Sequence, residues 1–144
     1  MGKPESKLYK INTTQFGEIE FEEKYIFNFN DGILGFEELK KFLLISDEET
    51  EPFKWLISIE NPEIGFPLLN PWLIDLEYSL DKHYDIQKEA VLVVITLGGN
   101  QGLITANLKA PIILNIPEQT GRQIILPSEK YSTTHIIQPK KKGN

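Results

Sequence analysis

The residues of this chain that are able to do chemistry are few and poorly placed for it. His83 and His135 stand in separate polar segments, and neither has the nucleophile and orienting partner that general-base work requires. Asp75 and Glu77 form the kind of carboxylate pair hydrolysis needs. The alternation of Ile74, Leu76, Tyr78 and Leu80 nevertheless places both acids on one exposed face of a strand, as on any solvated surface. No HExxH occurs, there is no cysteine to ligate zinc or attack a substrate, and the acidic stretch Ser46–Pro52 lacks the glycine and spaced glutamate of a calcium loop. The loop GGNQG (Gly98–Gly102) has no Gly-Lys-Ser/Thr ending and leads into a strand, so it reads as a hairpin and not a phosphate cradle. Trp55 and Trp72 suggest an alternative chemistry, a small β-barrel that binds a carbohydrate or other small molecule through an aromatic pocket. Trp55, however, lies in register with Phe53 and Ile57, the position of a core side chain. No catalytic residue, metal site or cofactor is expected, and the chain reads as a non-enzyme.

Charge points to recognition instead. The net charge is −6, and it is uneven: residues 1–60 hold thirteen acids against seven bases, residues 61–127 seven against four, and residues 128–144 one against four. An acidic surface repels nucleic acid and draws in basic partners. The aromatics of residues 16–36 are interleaved with glutamates, so they read as core side chains and not as a stacking platform for single strands. The longest apolar run, Ala90–Leu97, is far short of the roughly 20 residues of a membrane span, and the N-terminus has no apolar core of a signal peptide. The expectation is a soluble cytoplasmic protein that binds neither nucleic acid nor membrane.

The elements that would carry such a surface are strands. The organising stretch is Ile104–Ile116, in which every even position is apolar and Pro111 excludes a helix. Its length predicts a bent strand, or two strands joined at Ala110-Pro111, with the even row in the core. Further alternation predicts strands around Ile19–Glu22, Tyr25–Phe29, Phe42–Ile45, Phe53–Ile59, Phe66–Leu69, Ile74–Leu80 and Gln123–Leu126. Ala90–Leu97, apolar on both faces, predicts a central covered strand. A single helical turn is expected over Phe36–Lys41 and a short helix within Asp81–Glu89. The fold class that follows is all-β, mainly antiparallel: a single-domain β-barrel-like or sandwich fold with one or two short helical turns.

Word order adds a resemblance. FGEIEF, NDGILGFEELKKF, EPFKWLISIENPEIGFPLLNP and TANLKAPIILN followed by GRQIIL occur in this sequence. Together they resemble the flagellar assembly factor FliW family over roughly Ile11 to Tyr131. Asn30 and Leu34 stand where relatives carry proline, and Ile57 where they carry glutamine. With the polar leader and the lysine-rich end read from their own residues, the expected organisation is a flexible leader over residues 1–10, one FliW-like β-barrel domain over 11–137 and a disordered basic tail over 138–144. The resemblance also implies a flagellar assembly regulator that binds flagellin and antagonises the translational repressor CsrA by direct protein–protein contact away from its RNA site. For the basic partner the candidates are the outward acids Glu18, Glu20 and Glu22, with Asp31, Glu37 and Glu38. Asn107 and Lys109, in the odd row of the organising stretch, are candidates for either partner, with the capping of turns at the bend as the structural alternative.

Overall fold

The β-branched run at the middle of the chain forms its longest strand, and a barrel closes on it. The computed structural model describes residues 7–81, 84–98 and 102–137. In chain order the strands are β1 (Leu8–Thr13), β2 (Gly17–Glu22), β3 (Ile26–Asn28), β4 (Lys41–Ser46), β5 (Lys54–Ser58), β6 (Gly65–Leu69), β7 (Glu89–Thr96), β8 (Thr105–Ala106), β9 (Ile112–Asn115), β10 (Thr120–Gln123) and β11 (His135–Ile136). Hydrogen-bonded neighbours run β3-β4-β5-β6-β7, and β7 also pairs with β9, β9 with β10, and β10 with β3, which closes a ring of seven strands. All pairings are antiparallel except β3–β10, which meet in parallel through Asn28 and Thr120. β8 and β11 extend the sheet beyond β7, and β1–β2 form a separate hairpin. The all-β reading stands.

Strand parity sorts the side chains into three apolar layers. Phe27, Phe42, Leu56, Leu68, Ile112 and Leu114 fill the barrel, with Phe29, Ile33 and Leu39 added from the β3–β4 connection. The odd positions of β7, Val91, Val93 and Ile95, face outward with Ile113 and are covered by Tyr78, Leu80, Leu126 and Tyr131. Leu43, Trp55 and Ile57, outward on β4 and β5, are also buried. The β1–β2 hairpin lies over them, with the Phe16 ring edge-on to Trp55 at 5.4 Å.

The organising stretch divides as expected, into β8 and β9 on either side of a bend. Ala106, Leu108, Ala110, Ile112 and Leu114 are all buried, whereas the end members Ile104 and Ile116 are exposed at 39% and 49%. The bend also changes which core the even row enters. Ala106 and Leu108 lie in the outer layer, Ile112 and Leu114 inside the barrel, and Ile113 takes over the outer position.

Other expectations need correction. Phe36–Lys41 is not a helical turn: Phe36 N–H donates to Ile33 O at 2.6 Å and Leu39 N–H to Phe36 O at 3.0 Å. Two successive tight turns bring Phe36 and Leu39 to the barrel core, and Gly35, at φ +88°, sits in the first of them. Single 3-10 turns occur elsewhere, at Glu23–Tyr25, Glu48–Thr50 and Pro71–Leu73. Ile74–Leu80 is not a strand. Asn70 Oδ1 accepts from Trp72 N–H (2.8 Å) and Asp75 Oδ1 from Glu77 N–H (2.9 Å), side-chain bonds that turn the backbone. Tyr78 and Leu80 are still buried, while Leu76 is 88% exposed. The described part of Asp81–Glu89 is a turn closed by Lys88 and Glu89 N–H on Asp85 O, not a helix. The last barrel strand comes three residues earlier than Gln123–Leu126, although Ile124 and Leu126 still donate to Pro111 and Lys109 carbonyls. Of the leader expected over residues 1–10, Leu8–Lys10 belong to β1. His83, the middle of GGNQG and the tail 138–144 lie outside the described residues.

Barrel closure leaves Gly121 with no room for a side chain. Gly121 faces inward opposite Leu114, and a Cβ there would overlap the ring of fully buried Phe29. Gly121→Ala is expected to cost about 1–3 kcal/mol by overpacking. Urea denaturation checks this, and an unchanged midpoint would contradict the packing.

Candidate partner-binding surface

The β1–β2 hairpin has two unlike faces because its register is set by alternation. Tyr9 pairs with Phe21 and Ile11 with Ile19, and this face turns to the barrel; the Tyr9 and Phe21 rings stack at 5.7 Å. The other face carries Glu18, Glu20 and Glu22, opposite Asn12, Lys10 and Leu8. Glu18 and Glu20 are exposed, and Glu22, partly exposed, pairs with Lys24 at 3.6 Å across open solvent. A surface pair of this kind contributes little stability, so the acid row is not held for the fold's sake.

Asp31, Glu37 and Glu38 form a second exposed group, on the turns between β3 and β4. The Glu37 carboxylate accepts from Gly35 N–H at 3.1 Å. That bond, joined by the Glu37 amide, holds its carboxyl below the ordinary carboxylate value. Gly32 is packed against the same turn, at φ +67° and with the Glu37 backbone 2.6 Å from where a Cβ would be. Glu37 therefore shapes its own loop as well as charging it.

Asn107 and Lys109 both have intramolecular partners at the bend. Asn107 Oδ1 accepts from Ala110 N–H at 3.0 Å, and Lys109 Nζ donates to Ser128 O at 2.9 Å. Between them the Leu108 carbonyl, in the outer core, accepts from Tyr78 Oη at 2.7 Å. Burial, and secondarily the neighbouring Tyr131, pushes the Tyr78 phenol up, so it stays a donor throughout the ordinary pH range.

The sequence reading missed several residues that hold these loops. Gln123 spans two of them, donating to Ala110 O at 3.0 Å and accepting from Leu34 N–H at 2.8 Å. Gln119 Nε2 donates to Glu23 O at 2.7 Å and Ile26 O at 2.9 Å, tying the β9–β10 turn to β3. Glu60 accepts from both Lys40 and Lys41 N–H at 3.0 Å, and Arg122 meets Glu89 at 2.6 Å. The signal available for two of them was the GRQ word itself, in which Gly121, Arg122 and Gln123 alternate inward, outward and inward.

Among the described residues, the two tryptophans of the aromatic-pocket alternative stand apart. Trp55 donates to Thr50 Oγ1 at 2.9 Å beneath the hairpin, and Trp72 donates to Tyr78 O at 2.9 Å in the outer layer. The two indoles line different depressions, and both N–H groups are used internally. Among the described residues no group of three His, Asp or Glu side chains could hold a metal ion, and no helix is long and apolar enough to cross a membrane.

Residues 10–137 match the family described as FliW protein. The chain is similar to the flagellar assembly factor FliW of Thermosipho africanus, at 39% identity with 86% of this chain and 92% of the relative covered. It is also similar to the flagellar assembly factor FliW of Clostridium tetani, at 42% identity over 89% of this chain and 94% of the relative. A crystal structure of the flagellar assembly factor FliW superposes with a TM-score of 0.81 at 36% identity, covering 92% of this chain and 99% of the other.

Two outcomes follow from the geometry. Asn107→Ala leaves the amide of buried Ala110 without its acceptor and is expected to cost about 1–3 kcal/mol; a urea midpoint equal to that of the unsubstituted chain would remove Asn107 from the bend. The Glu37 pKa is depressed on folding, so its contribution is complete above the ordinary value of 4.5 and is lost as pH falls through the lower folded value. The Gly35 amide proton shift should titrate with a midpoint below 4.5. A midpoint at or above that value would contradict the bond.

Proposed function

The chain belongs to the FliW family, and on that premise we propose that it is a non-enzymatic, cytoplasmic regulator of flagellar assembly that binds flagellin and, once flagellin has been exported, the translational repressor CsrA. The observation that supports this reading most is the acid row Glu18, Glu20 and Glu22, presented side by side on the solvent face of a hairpin that stands outside the barrel sheet. A protein that binds RNA carries a positive field, and a negative strand face accelerates encounter with it and fixes its orientation. The same negative field disfavours RNA, so this chain would act on the repressor and not on the message. Asp31, Glu37 and Glu38 are proposed as a second contact region. Asn107 and Lys109 act by shaping the bend.

Reversing the row (Glu18→Lys, Glu20→Lys and Glu22→Lys together) tests the assignment. Because Glu18 and Glu20 are exposed and Glu22 partly so, folding should be retained, as circular dichroism would show. CsrA binding measured by calorimetry at low salt is expected to weaken at least tenfold. Unchanged affinity would remove the hairpin from the interface.

A further inference from the structure

Beside the acid row runs an apolar slot with strand edges on both sides. Its volume is about 350 Å³, and it is lined by Ile19, Glu20 and Phe21 of β2, by Tyr25, and by β4 from Leu43 to Ser46. β3 pairs with β4 only as far as Leu43, whereas β5 continues along β4 to Ser46. Past the Leu43 pair, the Leu44 carbonyl and both main-chain groups of Ser46 therefore have no ladder partner on the β3 side. Main-chain direction agrees: Ile59 N–H donates to Lys41 O, so odd residues of β4 face β5, and Ser46 points its N–H and C=O away from it. On the other wall, β2 pairs with β1 alone. Exposed edges of this kind accept an added strand unless something blocks them.

The walls also define what would be accepted. The floor is aliphatic and aromatic, and Tyr25 stays 45% exposed at its mouth. Residues 17–25 and 44–52, the two walls with their continuations, hold eight acids, Glu18, Glu20, Glu22, Glu23, Asp47, Glu48, Glu49 and Glu51, against the single base Lys24. We propose that this slot takes an extended segment of the protein partner by β-addition, a segment whose apolar side chains alternate with lysine or arginine. Main-chain bonds to the β4 edge give affinity, the apolar side chains enter the floor, and the basic ones meet the glutamates of the rim. The alternation matches the walls because a strand points successive side chains to opposite faces. The inference rests on the reading of this face as the basic partner's, and it adds the mode of recognition.

The test uses the full chain, labelled with nitrogen-15, and three synthetic seven-residue peptides: alternating lysine and valine, the same composition in two blocks, and alternating glutamate and valine. The alternating basic peptide should shift the amides of Ile19–Glu22 and Leu44–Ser46, and bind at least tenfold more tightly than either control. Ile45→Lys, which places a charge on the floor, should weaken it at least tenfold again. If that variant does not fold, Tyr25→Asp at the exposed mouth takes its place, with the same result expected. Equal binding by the block peptide, shifts confined to other surfaces, or no binding of the alternating peptide would overturn the slot. The charge-reversed hairpin separates the two ideas: CsrA binding lost there, with the slot silent toward all three peptides, sinks the β-addition and leaves the acidic face standing.

Discussion

The structure depends on one bend, residues 107–111, where a strand leaves one hydrophobic layer and enters another. An extended chain can serve two cores only if its face is switched, and switching strips main-chain groups of their ladder partners. Five main-chain groups here are met by named partners: Asn107 takes the Ala110 amide, Tyr78 supplies the Leu108 carbonyl, Leu126 the Lys109 carbonyl, Ile124 the Pro111 carbonyl and Gln123 the Ala110 carbonyl. Buried polar groups left unmatched would each cost about 1–3 kcal/mol, comparable to a sizeable part of a small domain's net stability. Pro111 suits the corner because it brings no N–H that would need a partner.

With the bend in place the rest of the barrel follows. β9 reaches both β7 and β10, the ring closes through the parallel β3–β10 contact, and Gln123 fastens the bend to the turns after β3. Those turns present Asp31, Glu37 and Glu38, while the hairpin laid on β4 and β5 presents Glu18, Glu20 and Glu22. The polar side chains at the bend are thus spent on internal bonds, and the acids on the periphery are left nearly free of them. That division separates residues that make the scaffold from residues available to a partner.

Much of the scaffold was legible in the sequence, for physical reasons that can be named. Period-two alternation is a strong signal where one face is buried, so β2, β4, β5, β6, β7 and the division of Ile104–Ile116 were all readable. It misled at Ile74–Leu80, where Asn70 and Asp75 side chains bond the backbone into turns while Tyr78 and Leu80 still reach the core. Phe36 and Leu39 imitated a helix because two consecutive tight turns also place residues three apart on one side. The two-residue strand β11 carries too little pattern to be seen alone, and it exists through its tertiary pairing with β8. Outward acids were readable as outward. The capping role of Asn107 and Lys109 at the bend was readable as an alternative to partner contact; the duty of Gln123 was not, because its partners lie 13 and 89 residues away in the chain.

The hairpin and the neighbouring edge of β4 are proposed to form one acidic recognition face on the barrel. Hydrogen–deuterium exchange of the chain with and without CsrA tests it most directly, because it reports on every amide without presuming the site. Slowed exchange is expected across residues 17–25 and 41–46, with the bend at 107–111 already slow in the free protein. Slowed exchange confined to the 70–90 region, or none anywhere at saturating CsrA, would contradict the proposed face.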